Sequence, residues 1–346
     1  MPEDGPLSRR RFVVGVLGAA AGLRAFPAAA KNSAAVYAPL PQPLVFAQVP
    51  GTDIFYTIGH SGVPGSSNAG HTSNAGFIVT AEGVVVFDAL GTPSLGWAML
   101  QKIRAVTDKP VRFVVISHYH ADHIYGLEAF RDHTDAVIVA QTRALDYTSD
   151  GNIDDEKALP RLAQRREVLA PWVDSKTRIV EPGLVFRDLA EIRLGSHSFQ
   201  LRYAGPAHSL SDLTMLVMPE RVLFAGDIVQ NGRIPFMASA AVNTENWLAA
   251  LDSLGVMQPR VILPGHGRPS GNVEEAIAFT RDYIRHLRKF ASEAVATWTS
   301  FEDAYAKADW SAYRDLPAFD ASNHGNAYRV FLEAENASFA GAASPK

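Results

Sequence analysis

The chain of 346 residues contains no cysteine. Disulfide bonds, thiolate metal ligands, a cysteine nucleophile and a lipid-modified N-terminal cysteine are therefore all excluded. The chain also has no large excess of one charge: it contains 32 lysines and arginines and 36 aspartates and glutamates, which gives a formal net charge of −4. The absence of a basic stripe argues against a nucleic-acid partner. What remains is an ordinary globular composition, 47% apolar, that suffices for one large domain or two smaller ones.

Residues 1–30 differ from the rest of the chain. Three adjacent arginines and an apolar start mark residues 8–14, a run of small apolar residues follows, and Ala28–Ala30 is typical of a signal-peptide cleavage site. Arg24 and Pro27 interrupt the run, which makes it a poor membrane anchor, since a spanning helix needs roughly 20 apolar residues. The adjacent arginines resemble a twin-arginine signal. We therefore expect an export signal, no stable membrane anchor and a periplasmic mature protein.

Short apolar strands alternate with helical segments between residues 44 and 270. Val111–Ser117, for example, predicts a strand that is buried on both faces. The same order of elements occurs before and after a polar, helix-prone insert at residues 141–180, which predicts two similar halves in one α/β domain with helices covering its sheets. The insert is either a cap on the fold or a lid over a site. Residues 271–346 predict helices that pack on the domain, with dimerisation as the alternative.

Residues that commonly bind metals cluster directly after that buried strand, in the segment His118-Tyr-His120-Ala-Asp122-His123. Side chains at alternate positions point the same way, so His118 and His120 can chelate one ion, while Asp122 and His123 lie beside them. Three more candidates follow other strands in glycine-containing loops, where the backbone can approach an ion closely. These candidates are His208, Asp227 and His266. Because α/β proteins build sites where several strands end at one sheet edge, the pattern predicts a metal centre.

In this order, the motifs from Asn74 to Gly267 resemble the metallo-β-lactamase superfamily. The resemblance implies an αββα metallo-β-lactamase sandwich, here with a C-terminal helical extension, and metals at one edge of the two sheets. It implies a first metal held by His118, His120 and His208. It implies a second metal held by Asp122, His123 and His266, with Asp227 bridging the two. Asp88, which ends an earlier strand, matches the family's buried aspartate that orients the ligand loop.

Position 227 also separates sub-families. Class B1 lactamases place a cysteine there, whereas this chain has an aspartate, as glyoxalase II and its relatives do. Gln230 replaces the lysine with which class B1 enzymes bind the substrate carboxylate, so β-lactam hydrolysis is not expected as the main role. The segment from Asp227 to Phe236 further resembles exported zinc metallohydrolases of quinoprotein relay systems and of sulfur-oxidation operons.

This ligand set implies a hydrolase with two zinc ions, although iron or manganese also suits it. A hydroxide held between the metals would cleave an ester, thioester, lactam or related bond of a small-molecule substrate, and the catalytic residue Asp122 would orient the hydroxide and return a proton to the leaving group. One alternative is a mononuclear iron persulfide dioxygenase that uses His118, His208 and Asp227 as its facial site. Another is an accessory metal protein of a periplasmic redox system.

Four side chains near the ligands are candidates for substrate contact. Tyr119 and Tyr125 flank the ligands, and they either donate to an oxyanion or pack under the metal loop. His60 and His71 lie in a Gly/Ser loop at residues 59–74, which the resemblance places beside the metals as a substrate flap. A structural role is the alternative for both histidines.

Two further candidates lie outside that loop. Trp172 in the insert would face the site if the insert is a lid. Arg233 would pair with an anionic substrate, or it would brace the loop that holds Asp227. No pattern in the sequence predicts an oligomeric state.

Overall fold

The computed structural model describes residues 12–15, 37–148, 158–237 and 239–343. Within these ranges two β-sheets pack face to face and helices cover both outer faces. The predicted αββα fold class with helices at the C-terminal end is therefore confirmed. None of the helices in the described ranges combines the length and the apolar character that crossing a bilayer requires.

The first sheet has seven strands that lie side by side in sequence order. They are β2 (Ala47–Gln48), β3 (Ile54–Thr57), β4 (Ala75–Val79), β5 (Val84–Phe87), β6 (Val111–Val115), β7 (Val137–Gln141) and β8 (Leu184–Phe186). From β5 to β8 the neighbours are parallel, so the carboxyl ends of β5 and β6 lie at the same edge. Its outer face is covered by α1 (Pro93–Val106), α3 (Leu127–His133), α4 (Ala144–Thr148) and α5 (Ala158–Leu169).

The second sheet contains six described strands in the order β1, β9, β10, β11, β12, β13. Their bounds are β1 (Phe12–Gly15), β9 (Leu189–Leu194), β10 (His197–Tyr203), β11 (Leu213–Met218), β12 (Val222–Gln230) and β13 (Val261–His266). β12 and β13 are parallel, and β10 runs in their direction because β11 is antiparallel to both of its neighbours. This sheet is covered by α6 (Thr244–Leu254), α7 (Val273–Ala296), α8 (Phe301–Lys307) and α9 (Phe319–Ala343), and a 3-10 turn at Gly255–Met257 follows α6.

The alternation of side chains along β5 shows how the layers are held together. Val84 and Val86 pack against the helices of the first sheet, whereas Val85 and Phe87 face the other sheet. The ring of Phe87 lies 5.1 Å from that of Phe224 in β12, so the two sheets meet through aromatic contact. A strand that is apolar at every position is what burial on both faces demands.

Two predictions of chain organisation stay predictions. Most of the expected export signal lies outside the described residues, apart from the four residues of β1, which pair with β9 in parallel. The domain limits at residues 44–270 and 271–346 are likewise not tested. α7 and α9 do share one apolar cluster with α6 and β12, so the C-terminal helices pack directly on the second sheet.

Candidate metal centre

The seven predicted ligands come together where β6, β10, β12 and β13 reach one edge of the sandwich. His118 and His120 lie between β6 and the short helix α2 (Ala121–Ile124), and α2 itself carries Asp122 and His123. The other three lie in the second sheet or just after one of its strands; they are His208, Asp227 and His266. Residues far apart in sequence therefore meet because strand direction brings their carboxyl ends together.

Ligand atoms of the first group converge around His120. His118 Nε2 lies 3.0 Å from His120 Nδ1, which lies 2.8 Å from His208 Nε2. These three histidines have all their ligand atoms within 4.8 Å of one another. Such a set fits one tetrahedral ion at Zn–N distances of about 2.0–2.1 Å, with a fourth position left open.

A second group is formed by Asp122, His123 and His266. His266 Nε2 lies 3.5 Å from Asp122 Oδ2, and His123 Nε2 lies 3.8 Å from the same oxygen. Asp122 has a side chain that is 20% exposed, whereas His123 is fully buried. Asp122 is therefore the member of this group that is open to incoming molecules.

Asp227 lies between the two groups. Its Oδ2 is 3.2 Å from His208 Nε2 and 3.2 Å from His266 Nε2, while its Oδ1 is 3.2 Å from His123 Nε2. A carboxylate in this position can bind one ion on each side. The arrangement matches the bridging role that the family resemblance implies.

Two buried polar atoms support metal binding at this centre. His123 Nε2 and Asp227 Oδ1 are shielded from solvent and lie 3.2 Å apart, but among the described residues neither makes a hydrogen bond of good geometry, with the other or with a third group. Buried polar atoms are normally paired, and an unpaired one costs about 1–3 kcal/mol. Because the donor set is histidine nitrogen and carboxylate oxygen without sulfur, it suits zinc and comparable divalent ions.

Asp88 and Ser117 orient the ligands of the first sheet. Asp88 Oδ2 accepts hydrogen bonds from His123 Nδ1 at 2.8 Å and from Ser117 Oγ at 2.8 Å, and its Oδ1 accepts from the Ser117 backbone at 2.7 Å. Ser117 Oγ in turn accepts from His118 Nδ1 at 2.9 Å. Protons held on both Nδ1 atoms leave each Nε2 with a free lone pair, as metal ligation requires.

The Gly/Ser loop orients His266 and Asp122. His266 Nδ1 donates to the carbonyl oxygen of Thr72 at 2.7 Å, and the Thr72 hydroxyl donates to Asp122 Oδ2 at 3.2 Å. Asn74 fastens this loop to the turn around His266, donating to the carbonyl oxygens of Pro264 at 2.8 Å and Gly267 at 2.7 Å. The loop thus acts as part of the metal site's framework.

Backbone geometry at two positions depends on particular residues. A Cβ atom on Gly265 would lie 2.0 Å from Asp227 Oδ1, so glycine is required for the carboxylate to sit between the ligand groups. Asp88 has a positive φ of 60°, which turns its carboxylate inward at the end of β5. Aspartate tolerates this left-handed conformation better than most residues.

The electrostatics favour the protonation states that bind metals. Burial lowers the pKa of His118, and His123 and His120 lower it further, so the imidazole is neutral. Burial alone would raise the pKa of Asp227, but His266 and His123 hold it well below its usual range. The pKa of Asp122 is likewise lowered against the effect of burial, by His123 and His266. Both aspartates are therefore carboxylates at neutral pH.

His123 behaves differently because three carboxylates surround it. Burial by itself lowers its pKa, but Asp227, Asp88 and Asp122 outweigh burial and raise the pKa well above its usual value. The surroundings therefore demand a positive charge at this imidazole. A divalent ion on Nε2 supplies that charge in place of a proton.

The predicted substrate contacts are distributed unevenly around the centre. Tyr119 is buried, stacks on Tyr147 at 4.8 Å and packs edge-on against His120 at 5.2 Å. Tyr125 is also buried, and burial raises its pKa. Both tyrosines lie under the metal loop, and the structure brings Tyr119 into contact with a ligand.

His60 and His71 pack against each other in the Gly/Ser loop. Their rings meet edge to face at 5.9 Å, with His60 exposed and His71 partly buried. Burial, with a smaller effect of His60, lowers the pKa of His71 to about 4, so this histidine is neutral at neutral pH. Neither belongs to the ligand groups.

Trp172 and Arg233 lie in different surroundings. The Trp172 indole donates to the carbonyl oxygen of Pro39 at 2.8 Å and lines a cavity of about 370 Å³ together with Tyr37 and Arg178. The structure therefore does not bring Trp172 to the ligand groups. Arg233 is buried beside them, with Nη1 3.4 Å from His266 Nδ1.

Several residues at the centre were not predicted from the sequence. Asp212 accepts hydrogen bonds from the Ser209 backbone and the Ser209 hydroxyl, each at 2.7 Å, and so shapes the loop of His208. Asn326 in α9 donates to the carbonyl oxygen of Pro235 at 2.6 Å and accepts from the Met237 backbone at 2.7 Å. The nearest sequence signal is an aspartate four positions after a ligand; nothing in the sequence marks Asn326.

Comparison with known proteins identifies the family. The model of the metallo-beta-lactamase superfamily matches residues 68–266, more than half of the chain, and includes all seven ligands. The chain belongs to this superfamily. The resemblance that the motifs indicated is thereby confirmed at the level of the superfamily.

Relatives in the superfamily carry names of different hydrolases. The chain is 26% identical over 242 residues to a linear primary-alkylsulfatase from Pseudomonas sp. (strain ATCC 19151), covering 61% of this chain and 45% of the relative. It is 27% identical over 231 residues to the human acyl-coenzyme A thioesterase MBLAC2, covering 62% and 80%. It is 24% identical over 229 residues to the metallo-beta-lactamase type 2 of Elizabethkingia meningoseptica, covering 63% and 78%.

Solved structures agree with the fold. The stereoselective inverting sec-alkylsulfatase Pisa1 from Pseudomonas sp. superposes with a TM-score of 0.61 at 19% identity, covering 84% of this chain and 50% of that one. A metallo-beta-lactamase from Pontibacter korlensis gives a TM-score of 0.52 at 16% identity, covering 70% and 99%. The chain thus spans about half the length of each of these two alkylsulfatases.

Proposed function

We propose that this protein is a hydrolase with two zinc ions that cleaves an ester, thioester, lactam or related bond. The observation that carries the proposal is the placement of Asp227 between two groups of three ligands, 3.2 Å from a histidine of each. One carboxylate shared in this way is suited to two ions held close together. The alkylsulfatase, thioesterase and lactamase among the relatives support hydrolysis as the reaction class.

Each residue has a distinct part in this proposal. His118, His120 and His208 would hold one ion and Asp122, His123 and His266 the other. When bound, two such ions polarise a substrate oxygen and lower the pKa of a water molecule towards 7. The chain's own contribution is to hold the ligands in place and to keep protons on the Nδ1 atoms of three histidines, through Asp88, Ser117 and the Thr72 carbonyl group.

Asp122 is the side chain that we propose to move protons. Its Oδ2 faces His123 and His266 and accepts the Thr72 hydroxyl, whereas its Oδ1 has no hydrogen bond among the described residues. The side chain is partly exposed and its pKa is lowered, against burial, by His123 and His266. Because Asp122 is ionised and its Oδ1 is free of hydrogen bonds within the described chain, the carboxylate can orient the attacking water at Oδ1 and pass a proton to the leaving group.

Metal analysis of the purified protein, combined with a hydrolysis screen, tests the proposal. We expect two zinc ions per chain and turnover of a compound among sulfate esters, thioesters, lactones, β-lactams and phosphodiesters. His208→Ala should lose both a metal and the turnover, while His324→Gln, which changes an exposed histidine, should retain both. One iron per chain with oxygen uptake would instead establish a dioxygenase. Metal binding with no turnover of any compound would favour an accessory role.

We also propose that the protein is exported to the periplasm by the twin-arginine route. The support is the sequence of residues 8–30, with adjacent arginines, a run of small apolar residues and an alanine-rich end. Replacing both Arg9 and Arg10 by lysine should leave the precursor in the cytoplasm, as fractionation and immunoblotting would show. Arg24→Lys makes the same chemical change within the same segment and should not affect export. Equal export of the double variant would reject this route.

A further inference from the structure

Two arginines beside the metal centre lack partners that match their charge. Arg165 in α5 is partly buried and makes no hydrogen bond or salt bridge among the described residues. Arg233 is buried, and its Nε has no hydrogen-bond partner. Its Nη1 lies 3.4 Å from His266 Nδ1, but that nitrogen already donates its proton to Thr72. Neither guanidinium therefore has a good acceptor within the described chain.

Helix α5 crosses the open side of the metal centre. The guanidinium carbon of Arg161 lies 5.9 Å from the ring centre of Phe236, which is itself 6.4 Å from the ring of His120. Leu169, at the other end of α5, packs against Gly70, where an added Cβ would come within 2.9 Å of it. Arg165 lies between these contacts, one helical turn beyond Arg161, and so faces the region between the two ligand groups.

Both guanidinium groups act on the same ligand carboxylate. Burial lowers the pKa of Arg165, and Asp122 opposes this change. Burial likewise lowers the pKa of Arg233, and Asp122 and Asp227 oppose it. Arg165 and Arg233 therefore lie within electrostatic range of Asp122, one on the insert helix and one on the loop that follows β12.

Metal binding would leave these arginines without a counter-charge. Two divalent ions bring four positive charges, against three negative charges from Asp88, Asp122 and Asp227. The carboxylates that compensate the guanidinium groups would then be neutralised by the ions. Buried charges without partners are unfavourable, so an anion at this position would stabilise the arginines, Arg233 above all, when the metals are bound.

We propose that Arg165 and Arg233 form a subsite for a negatively charged oxygen group of the substrate. The substrate class is then an ester, or a related compound, that carries a full negative charge close to the scissile bond. This inference rests on the proposed hydrolase function and narrows it. It also makes the insert at residues 141–180 a substrate-binding element through α5. Guanidinium groups suit such a task because they bind tetrahedral and planar oxyanions through paired hydrogen bonds.

Calorimetric titration of the zinc-loaded protein with sodium sulfate, and separately with sodium acetate, tests the subsite. We expect Arg165→Gln and Arg233→Gln each to weaken anion binding about tenfold or more, the effect of losing a charge-assisted hydrogen bond. If only the affinity for sulfate falls in the variants, the subsite takes a tetrahedral group such as a sulfate or phosphate ester. If the affinity for acetate falls as well, the subsite takes a substrate that carries a carboxylate. Arg165→Lys should restore part of the affinity, because it returns the charge without the paired donors.

The matched control is Arg187→Gln, which removes one exposed positive charge far from any ligand in sequence. It should bind both anions as the wild type does. The zinc content of every sample separates the two proposals. A wild-type sample that does not take up two zinc ions contradicts the proposed function. Normal zinc content together with unchanged anion affinity in both arginine variants, or no anion binding by the wild type, overturns the subsite alone.

Discussion

Replacing Asp88 by asparagine should weaken zinc binding although Asp88 itself binds no metal. Asp88 Oδ2 accepts two hydrogen bonds, from His123 Nδ1 and from Ser117 Oγ, and Oδ1 accepts a third from the Ser117 backbone amide. An asparagine can keep its oxygen at the Ser117 backbone, but its amide group then faces two donors. To avoid this clash, His123 must move its proton to Nε2, which removes the lone pair that binds the metal.

The magnitude follows from the contacts that are lost. A hydrogen bond to a charged group contributes about 1.5–3 kcal/mol, and loss of a partner that orients a metal ligand costs about 10- to 100-fold in metal affinity. We therefore expect the zinc ion bound by Asp122, His123 and His266 to bind about 10- to 100-fold more weakly in Asp88→Asn. Competition with a chromophoric chelator measures the affinity, and the loss should affect one of two zinc ions more than the other.

Asp252→Asn provides the control because it makes the same chemical change at an exposed position of α6. Its zinc affinities should equal those of the wild type. If Asp88→Asn also bound both ions with wild-type affinity, the orienting role of Asp88 would be refuted. A fall in the unfolding midpoint of the metal-free protein without a change in zinc affinity would assign Asp88 to folding alone.

Three further perturbations and one pH dependence follow from the structure. Chelation of the metals should lower the thermal midpoint in calorimetry, because zinc at a thousand times its dissociation constant stabilises the fold by about 4 kcal/mol per site; equal midpoints would contradict a metal bound by the folded chain. Asn74→Ala loses its bonds to the two carbonyl groups around His266 and should cost about 2 kcal/mol in urea unfolding, and a difference near zero would be unexpected. Gly265→Ala directs a Cβ at the Asp227 carboxylate and should lose zinc, so a normal metal content would show that the backbone can adjust. Burial raises the pKa of Asp212 to about 7, above that of the unfolded chain. The folded protein then holds this proton more tightly than the unfolded chain. As the pH rises from about 4 to about 7, the free energy of unfolding should therefore fall by about 1.4 kcal/mol per pH unit, and this fall should be absent in Asp212→Asn. Parallel pH profiles of the two proteins would refute this assignment.

The ligands could be predicted from the sequence because each follows or ends an apolar strand. Strand direction alone then brings His118, Asp227 and His266 to one edge, without any knowledge of side-chain packing. The residues that orient them depend on contacts that sequence does not reveal. Asn74 bonds to Pro264 across 190 positions, and neither residue is of a type that indicates a site. Patterns within single strands were enough to predict the fold class. The residues that orient the ligands could be identified only from the complete tertiary structure.

The role of the insert at residues 141–180 could also not be predicted from its sequence. Its polar, helix-prone sequence predicted either a cap or a lid, and Trp172 was the candidate to face the site. In the structure Trp172 bonds to Pro39, while α5 places Arg161 over Phe236 and so reaches the metal edge. Which face of α5 points inward depends on how the helix packs, and the arginines on it resemble ordinary surface charges in sequence.

If both proposals hold, metal binding and substrate binding depend on different parts of this chain. The ligands come from the ends of strands or from the turns that follow them. The walls around them come from the insert and from the loop after β12, which α9 holds through the bonds of Asn326. Substitutions in these walls can alter which anion is bound and leave the ligand groups unchanged. This separation gives a physical reason why relatives named for sulfate esters, thioesters and lactams share one superfamily.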